Sequence, residues 1–225
     1  MKIDNTINWY ENEAILSVEI LKSYIKSIED QIETSVGNFA KNKKIITLEE
    51  YPNEYYARII TLYNGLDDET FDLEKVFKEY LPNLQRYSVL MTMFNFLENE
   101  LDALCFKIRK KDNLTLNLTD INGKGLNRSL RYLDKVAGIK VNNKLACEII
   151  NIQRIRNLIV HNGGKLIDKS DKPRTEEIKF VKESPFLDGK DEIIINAGFL
   201  TFVIEAFEAL LSEIDKGIKT KYKIN

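Results

Sequence analysis

The segment "RIRNLIVHNGG", residues 154–164, contains the side chains of this sequence that could do chemistry. It holds His161, the single histidine among 225 residues, and two arginines, Arg154 and Arg156. A histidine near its ordinary pKa can take up or release a proton at neutral pH. An arginine keeps its positive charge and binds phosphate oxygens through its forked donors. The pair therefore favours phosphoryl-transfer chemistry that needs no metal, with a cation to stabilise an anionic transition state.

RNA is the substrate that suits this pair, because its 2′-hydroxyl supplies an internal nucleophile. His161 would activate that hydroxyl or protonate the leaving 5′-oxygen, while an arginine would bind the phosphate. The other interpretation is that a histidine near a helix end only satisfies a free backbone carbonyl. The spacing alone leaves both interpretations open, since an arginine followed at short range by a histidine is frequent by chance.

A helix over residues 143–162 must position the motif. Gly163 predicts its end, because glycine readily adopts the left-handed conformation of a helix cap. At 100° per residue, Asn157 and His161 share one face of this helix. The Asn157 amide could therefore hydrogen-bond one ring nitrogen and select the tautomer of the imidazole.

The two arginines differ in their geometry relative to His161. Arg154 lies on the face of His161, two turns earlier, which makes it a candidate to support the site. Arg156 lies about 140° away around the helix. Arg156 and His161 of one chain would meet only at a shared phosphate, and a second copy of the chain could close such a site.

The remaining sequence predicts an all-α protein with enough apolar material for a core, since hydrophobic residues make up 44% and charged residues 30%. Glycine and proline are sparse, with ten and four copies, and apolar residues recur at spacings of three and four. We predict helices over residues 7–42, 72–80, 83–111, 125–137, 143–162 and 197–215, a short helix around 51–63, and a β-hairpin formed by 176–182 and 191–196.

No linker divides the chain. We therefore predict a single helical domain over residues 1–225. It comprises an N-terminal helical extension over about 1–80 and a core over about 83–215, with the small β-hairpin as an insertion near 176–196.

Positive charge is concentrated around the motif although the net charge is −2. Residues 107–165 hold 13 Lys/Arg and 4 Asp/Glu, whereas residues 1–106 hold 10 and 19. A local basic patch can attract phosphate even when the total charge is negative. Lys124, Arg128 and Arg131 are the candidates to contact an RNA backbone. A solvated face, or pairing with the acidic N-terminal third, explains the same charges.

The chain shows no feature that directs it to a membrane. Acidic residues stand where a signal peptide needs an apolar run, and no stretch approaches the roughly 20 apolar residues of a membrane span. Cys105 and Cys147 fall in helical patterns and are predicted as buried thiols of a reducing compartment, so we expect a cytoplasmic protein. One histidine and two distant cysteines make no metal-ligand set, and no cofactor is expected.

The motif also resembles that of a known superfamily. "RNLIVHNGG" resembles the Arg-(x4–6)-His signature of the HEPN superfamily, the higher eukaryotes and prokaryotes nucleotide-binding domains; the polar Asn157 after the arginine is typical of it. "FNFLENELDALC" is similar to the upstream helix of a group of bacterial HEPN proteins, with Glu98 at the matching glutamate. "LTDINGKGLNRSLRYL" is similar to the segment between the two helices. The resemblance covers about residues 85–215.

This resemblance implies an up-and-down helical bundle that dimerises, with both motif helices lining one cleft. It implies a metal-independent endoribonuclease of toxin–antitoxin, abortive-infection or anti-phage systems, acting on tRNA, rRNA or mRNA, with an antitoxin or defence-complex protein as a further partner. Arg156 and His161 would be catalytic, Asn157 would position the histidine, and Glu98 would support the site. The alternative is a non-catalytic helical module that binds nucleotide, RNA or a partner protein in a defence complex.

Overall fold

The structure is a computed structural model of the chain and describes residues 8–50, 57–168 and 170–223. The described chain is mostly helical, as the sequence predicts. Its α-helices are α1 (Ile15–Asn42), α2 (Leu73–Lys75), α3 (Leu81–Asp112), α4 (Gly125–Lys135), α5 (Asn143–Asn162), α6 (Thr175–Glu183) and α7 (Phe199–Tyr222). Its strands are β1 (Lys44–Glu50), β2 (Ala57–Tyr63), β3 (Leu66–Asp67), β4 (Leu187–Asp188) and β5 (Ile194–Ile195).

Contacts along the chain group these elements into two compact units. The first, here called the motif unit, holds the described residues up to Ile25 and those from Tyr87 onward. The second, here called the sheet unit, holds the described part of Lys26–Arg86. The boundaries fall inside α1 and α3, so the sequence carries no linker that could mark them.

The core of the motif unit is built around α3. The predicted apolar face of this helix is confirmed, because its members are buried: Leu90, Met93, Phe94, Leu97, Leu101, Leu104 and Ile108. Phe94 packs edge-on against Phe207 of α7, with ring centroids 5.1 Å apart. The isoleucines of α5, among them Ile152 and Ile155, are also buried, which fixes the orientation of the helix that carries the motif.

The last helix extends further than predicted. We expected it to end at residue 215, but α7 continues to Tyr222. Its polar last turns are held by Asp112, which pairs with Lys221 and accepts a hydrogen bond from the Tyr222 hydroxyl at 2.9 Å. These contacts come from outside the helix, so its own periodicity could not reveal them.

The sheet unit contains an antiparallel sheet of order β1-β2-β3. The short helix predicted around 51–63 is therefore wrong for the described residues 57–63, which form β2; residues 51–56 lie outside the described residues. Asn64 and Gly65 join β2 to β3 with positive φ values of 47° and 80°, as a tight hairpin turn requires. Phe39, Leu73 and Phe77 form a buried core cluster of this unit. Because this unit contains three strands, the predicted N-terminal extension is not wholly helical.

A small hairpin lies within the predicted region 176–196, but it does not pair the two predicted strands. The first predicted strand, 176–182, is instead helical, since it lies within α6. Glu176 and Glu177 occupy the first turn of α6 and Lys182 the last, an arrangement of charges that suits a helix dipole. The hairpin that does form pairs β4 with β5 around the turn "GKDEI".

An irregular turn precedes Pro82, which is the second residue of α3. α2 leads into a π-helical turn over Val76–Tyr80, and α3 follows directly at Leu81. Proline lacks the N–H that a regular helix needs at that position, so an irregular turn directly before it has a local cause.

Two further findings concern burial. None of the helices in the described part of the chain has the length and apolarity that a membrane crossing requires. Cys105 is buried, as predicted, but Cys147 on α5 is exposed, which corrects the expectation of two buried thiols.

Candidate functional site

The helix that carries the motif has both of its ends capped. At its start the Asn142 side chain accepts a hydrogen bond from the backbone N–H of Lys144 at 2.8 Å. At its end Gly163 adopts φ 60°, as predicted, and its N–H donates to the carbonyl of Ile159 at 3.0 Å. The next N–H, of Gly164, donates to the carbonyl of Leu158 at 3.2 Å. Backbone groups thus satisfy these carbonyls.

His161 lies in the last turn of α5 and its side chain is exposed. No hydrogen bond or ion pair joins it to another described residue. The interpretation in which the imidazole only satisfies a helix-end carbonyl therefore has no contact to support it. An exposed imidazole at this place is accessible to a ligand or to another protein chain.

Arg156 is half-buried and held at two points. Its Nη1 donates to Oδ1 of Asn157 at 3.0 Å, and its Nη2 donates to Oδ1 of Asn95 on α3 at 3.2 Å. Both acceptors are neutral amides, and no carboxylate among the described residues lies within ion-pair distance of the guanidinium. The side chain is thus oriented while its positive charge stays uncompensated, which suits the binding of an anion.

Asn157 contacts the arginine of the motif and not its histidine. We expected its amide to hydrogen-bond His161, but within the described chain its recorded hydrogen bond is the one from Arg156. Arg156 and His161 are five residues apart, which places them about 7.5 Å apart along the helix axis and about 140° apart around it. One chain therefore brings Arg156 and Asn157 together and leaves His161 separate.

Glu98 lies on α3, one turn after Asn95, and its carboxylate packs against Gly125 at the start of α4. A Cβ added at Gly125 would lie 2.8 Å from Glu98 Oε1, so only glycine leaves room for the carboxylate. The position is favourable for an anion, because the N-terminal end of a helix carries partial positive charge. Glu98 thus belongs to the α3–α4 contact beside the motif helix.

Arg154 is exposed and pairs with Glu176 of α6, with Nη1 3.4 Å from Oε2. It also donates to Asn151 at 3.4 Å. Its charge is therefore compensated, unlike that of Arg156. The structure does not bring Arg154 to the other residues of the motif.

The three basic candidates near α4 have different surroundings. Lys124 is exposed directly before the helix. Arg128 pairs with Asp102 at 3.4 Å, which reduces its availability to phosphate. Arg131 is exposed, and its Nη1 donates to the carbonyl of Asn122 at 3.2 Å, so its charge is not compensated by an acid.

Sequence reasoning missed two contacts of this region. Asn95 was not a candidate, although it lies one helical turn from Glu98 on the polar side of α3, and that spacing could have indicated it. The buried Gln153 accepts a hydrogen bond from Asn127 of α4 at 3.2 Å. A polar amide beside the buried isoleucines of α5 needs a hydrogen-bond partner, so the sequence could have indicated a contact at Gln153.

A comparison of the chain with protein-family models, curated proteins and solved structures finds no match. Within the described residues, no group of three His, Cys, Asp or Glu side chains is close enough to hold a metal ion. The functional conclusion therefore depends on the motif and on its surroundings.

Proposed function

We propose that this chain is a metal-independent endoribonuclease of HEPN type that cleaves RNA by attack of the 2′-hydroxyl. The observation that carries the proposal is the state of Arg156. Two neutral amides orient its guanidinium and no described carboxylate compensates its charge, so the group is prepared for a phosphate. The exposed His161 in the same helix supplies the group that can transfer a proton.

Each residue has a distinct role in this reaction. His161 removes the proton of the 2′-hydroxyl, the 2′-oxygen attacks the phosphorus, and the bond to the 5′-oxygen breaks. The proton then passes to the leaving 5′-oxygen, which yields a 2′,3′-cyclic phosphate and a 5′-hydroxyl. Arg156 binds the phosphate and stabilises the negative charge of the transition state, a contribution that is commonly about 3–4 kcal/mol. Asn157 orients the arginine.

A second copy of the chain is part of the proposal. Because Arg156 and His161 are about 140° apart around α5, one chain does not direct both side chains to one point. A symmetric dimer with the two motif helices side by side would place two arginines and two histidines around one phosphate. We propose that this dimer acts in growth arrest or anti-phage defence, where an antitoxin or another defence protein would control it.

Cleavage of total tRNA and ribosomal RNA by the purified protein tests the function. We expect discrete cuts that persist in EDTA and end in a 2′,3′-cyclic phosphate. His161→Ala and Arg156→Ala should each abolish them. Arg154→Ala is the matched control, since it removes an arginine of the same helix that is already paired with Glu176, and it should still cut.

The oligomeric state gives the second readout. Sedimentation equilibrium should show a dimer for the wild-type chain and for all three variants. A strict monomer at high concentration, or a folded dimer that cuts no class of RNA, would contradict the proposed ribonuclease. Either result would favour the alternative, a non-catalytic module that binds RNA or a partner protein.

A further inference from the structure

A groove lies between α4 and the start of α5 in the motif unit, outside the residues assigned to the cleavage reaction. It has a volume of about 650 Å³, and three cationic side chains line it: Arg131, Lys135 and Lys140. The single acidic residue that lines it, Asp134, pairs with Lys135 at 2.9 Å. The charges of the other two cations are therefore not compensated within the groove.

Arg131 and Lys140 are available to an anion. Arg131 donates to a backbone carbonyl, which is a neutral acceptor, and Lys140 is exposed. Neither of them forms an ion pair with any described residue. Asn142, the cap of α5, also lines the groove, so the positive end of the helix dipole adds to the potential there.

The α5 wall of the groove lies on the same face of the helix as His161. Ala146 and Ile150 form its α5 wall. Gln153, Asn157 and His161 follow them at helical spacings of three and four, and so continue the same face of the helix. Eleven residues at about 1.5 Å each place His161 about 16 Å beyond Ile150 along the axis.

The far end of the groove is fixed by a contact between the two helices. Asn127, which lines the groove, donates to the buried Gln153 at 3.2 Å. A side-chain hydrogen bond of this kind, partly shielded from water, holds α4 beside α5. The groove is therefore already formed in the chain without a ligand.

We infer that this groove binds the phosphate backbone of single-stranded RNA and directs the strand to His161. The identity of the ligand rests on the proposed function, whereas the uncompensated charges of Arg131 and Lys140 do not depend on it. Cations spaced along one groove suit a chain of phosphates better than a single anion. Phosphate contacts fix position without reading sequence, so the groove would add affinity for any single strand.

Binding of a labelled single-stranded 2′-O-methyl RNA tests the inference, because this RNA lacks the nucleophile and is not cut. The variant Arg131→Gln/Lys140→Gln removes two groove charges. The control Lys182→Gln/Lys190→Gln removes two charges from exposed lysines of the same unit that lie outside the groove. Fluorescence anisotropy over a range of salt concentrations should show binding at least about tenfold weaker for the groove variant, with a salt slope smaller by about 1.4, since each phosphate on a single strand contributes about 0.7.

Cleavage kinetics separate this inference from the function itself. For cleavable RNA, the groove variant should raise KM about tenfold and leave kcat unchanged, because the lost contacts are not at the reacting atoms. Equal affinity of the groove variant and the control, or no binding by the wild-type chain, would contradict RNA binding in the groove.

If the wild-type chain cuts RNA and both variants bind equally well, the groove inference is wrong and the proposed ribonuclease stands. If the groove variant loses binding but the wild-type chain cuts no RNA, the groove inference stands and the proposed ribonuclease is wrong.

Discussion

Arg156 of α5 reaches across to α3, where its Nη2 donates to Oδ1 of Asn95 at 3.2 Å. The acceptor is an amide and not a carboxylate. It directs the guanidinium and leaves its charge available, whereas an acid at this position would form an ion pair and compete with phosphate.

This relationship predicts the effect of Asn95→Asp. The new carboxylate should pair with Arg156 and stabilise the fold by about 0.2–1 kcal/mol, the range of exposed ion pairs. The same pairing should lower RNA cleavage about tenfold, equivalent to about 1.4 kcal/mol of transition-state stabilisation. Thermal unfolding and cleavage kinetics measure the two effects on the same sample.

Asn99→Asp is the control for this variant, because Asn99 is an exposed residue one turn further along α3 and receives the same added charge. It should change neither quantity beyond the error of the measurement. Equal cleavage by the two variants would mean that the Asn95 contact does not matter to the activity.

The Glu98–Gly125 contact predicts a difference between two glycine substitutions. Gly125 and Gly163 have similar positive φ values, 51° and 60°, but a Cβ would meet Glu98 only at Gly125 and has open space at Gly163. Both changes to alanine should lose about 1–2 kcal/mol of stability from the left-handed backbone. Gly125→Ala should lose a further amount of about 1–3 kcal/mol from the forced contact.

Chemical denaturation of the two single variants and of Glu98→Ala/Gly125→Ala measures that further loss. Shortening Glu98 removes the atoms that the new Cβ would meet, so the double variant should recover the stability of Gly163→Ala. If the two single variants are equally stable, Glu98 does not pack where the structure places it.

The two cysteines predict a difference in thiol reactivity. Burial, followed by the nearby Asp102 carboxylate, raises the pKa of the Cys105 thiol to about 12, whereas Cys147 is exposed. A thiol reagent at pH 8 should therefore label one cysteine of the folded chain, and mass spectrometry of peptides should assign it to Cys147. Labelling of Cys105 should require unfolding, so equal labelling of both in the native protein would contradict this burial.

The raised pKa also gives the sign of a pH effect. Between the ordinary thiol pKa of about 9 and the folded value of about 12, the unfolded chain loses the Cys105 proton and the folded chain keeps it. The contribution of Cys105 to stability is complete below pH 9 and decreases as the pH rises toward 12. Denaturant titrations at pH 8, 9.5 and 10.5 should show a smaller decrease for Cys105→Ala than for the wild-type chain.

Hydrophobic periodicity was sufficient to predict most of the helices. The buried face of α3 and the ends of α5 follow from residues within each element, such as Leu97 or Gly163, and these predictions are confirmed. The strand β2 was missed because "ARIITLYNG" is short and apolar, and such a run does not distinguish strand from helix; its Asn64-Gly65 turn was the decisive signal. α6 was missed although its charges, acidic in the first turn and basic in the last, suit a helix.

The candidate site was predictable in its residue types and less so in its contacts. A helical wheel places Asn157 beside His161, but it cannot show that Asn157 and Asn95 of α3 together bind Arg156. The same limit applies to Arg154, whose partner Glu176 lies on a helix that the sequence did not predict. Contacts between elements depend on the packing of several helices at once, which one sequence does not reveal.

The cap at the end of α5 is formed by backbone groups, so the fold does not depend on the His161 side chain. The N–H groups of Gly163 and Gly164 occupy helix-end carbonyls, and no hydrogen bond to a described residue requires the His161 ring. Under the proposed function, a single codon change at position 161 would therefore give a stable but inactive protein. Under the proposed dimer, such a copy would still pair with the active form and would be its dominant inhibitor.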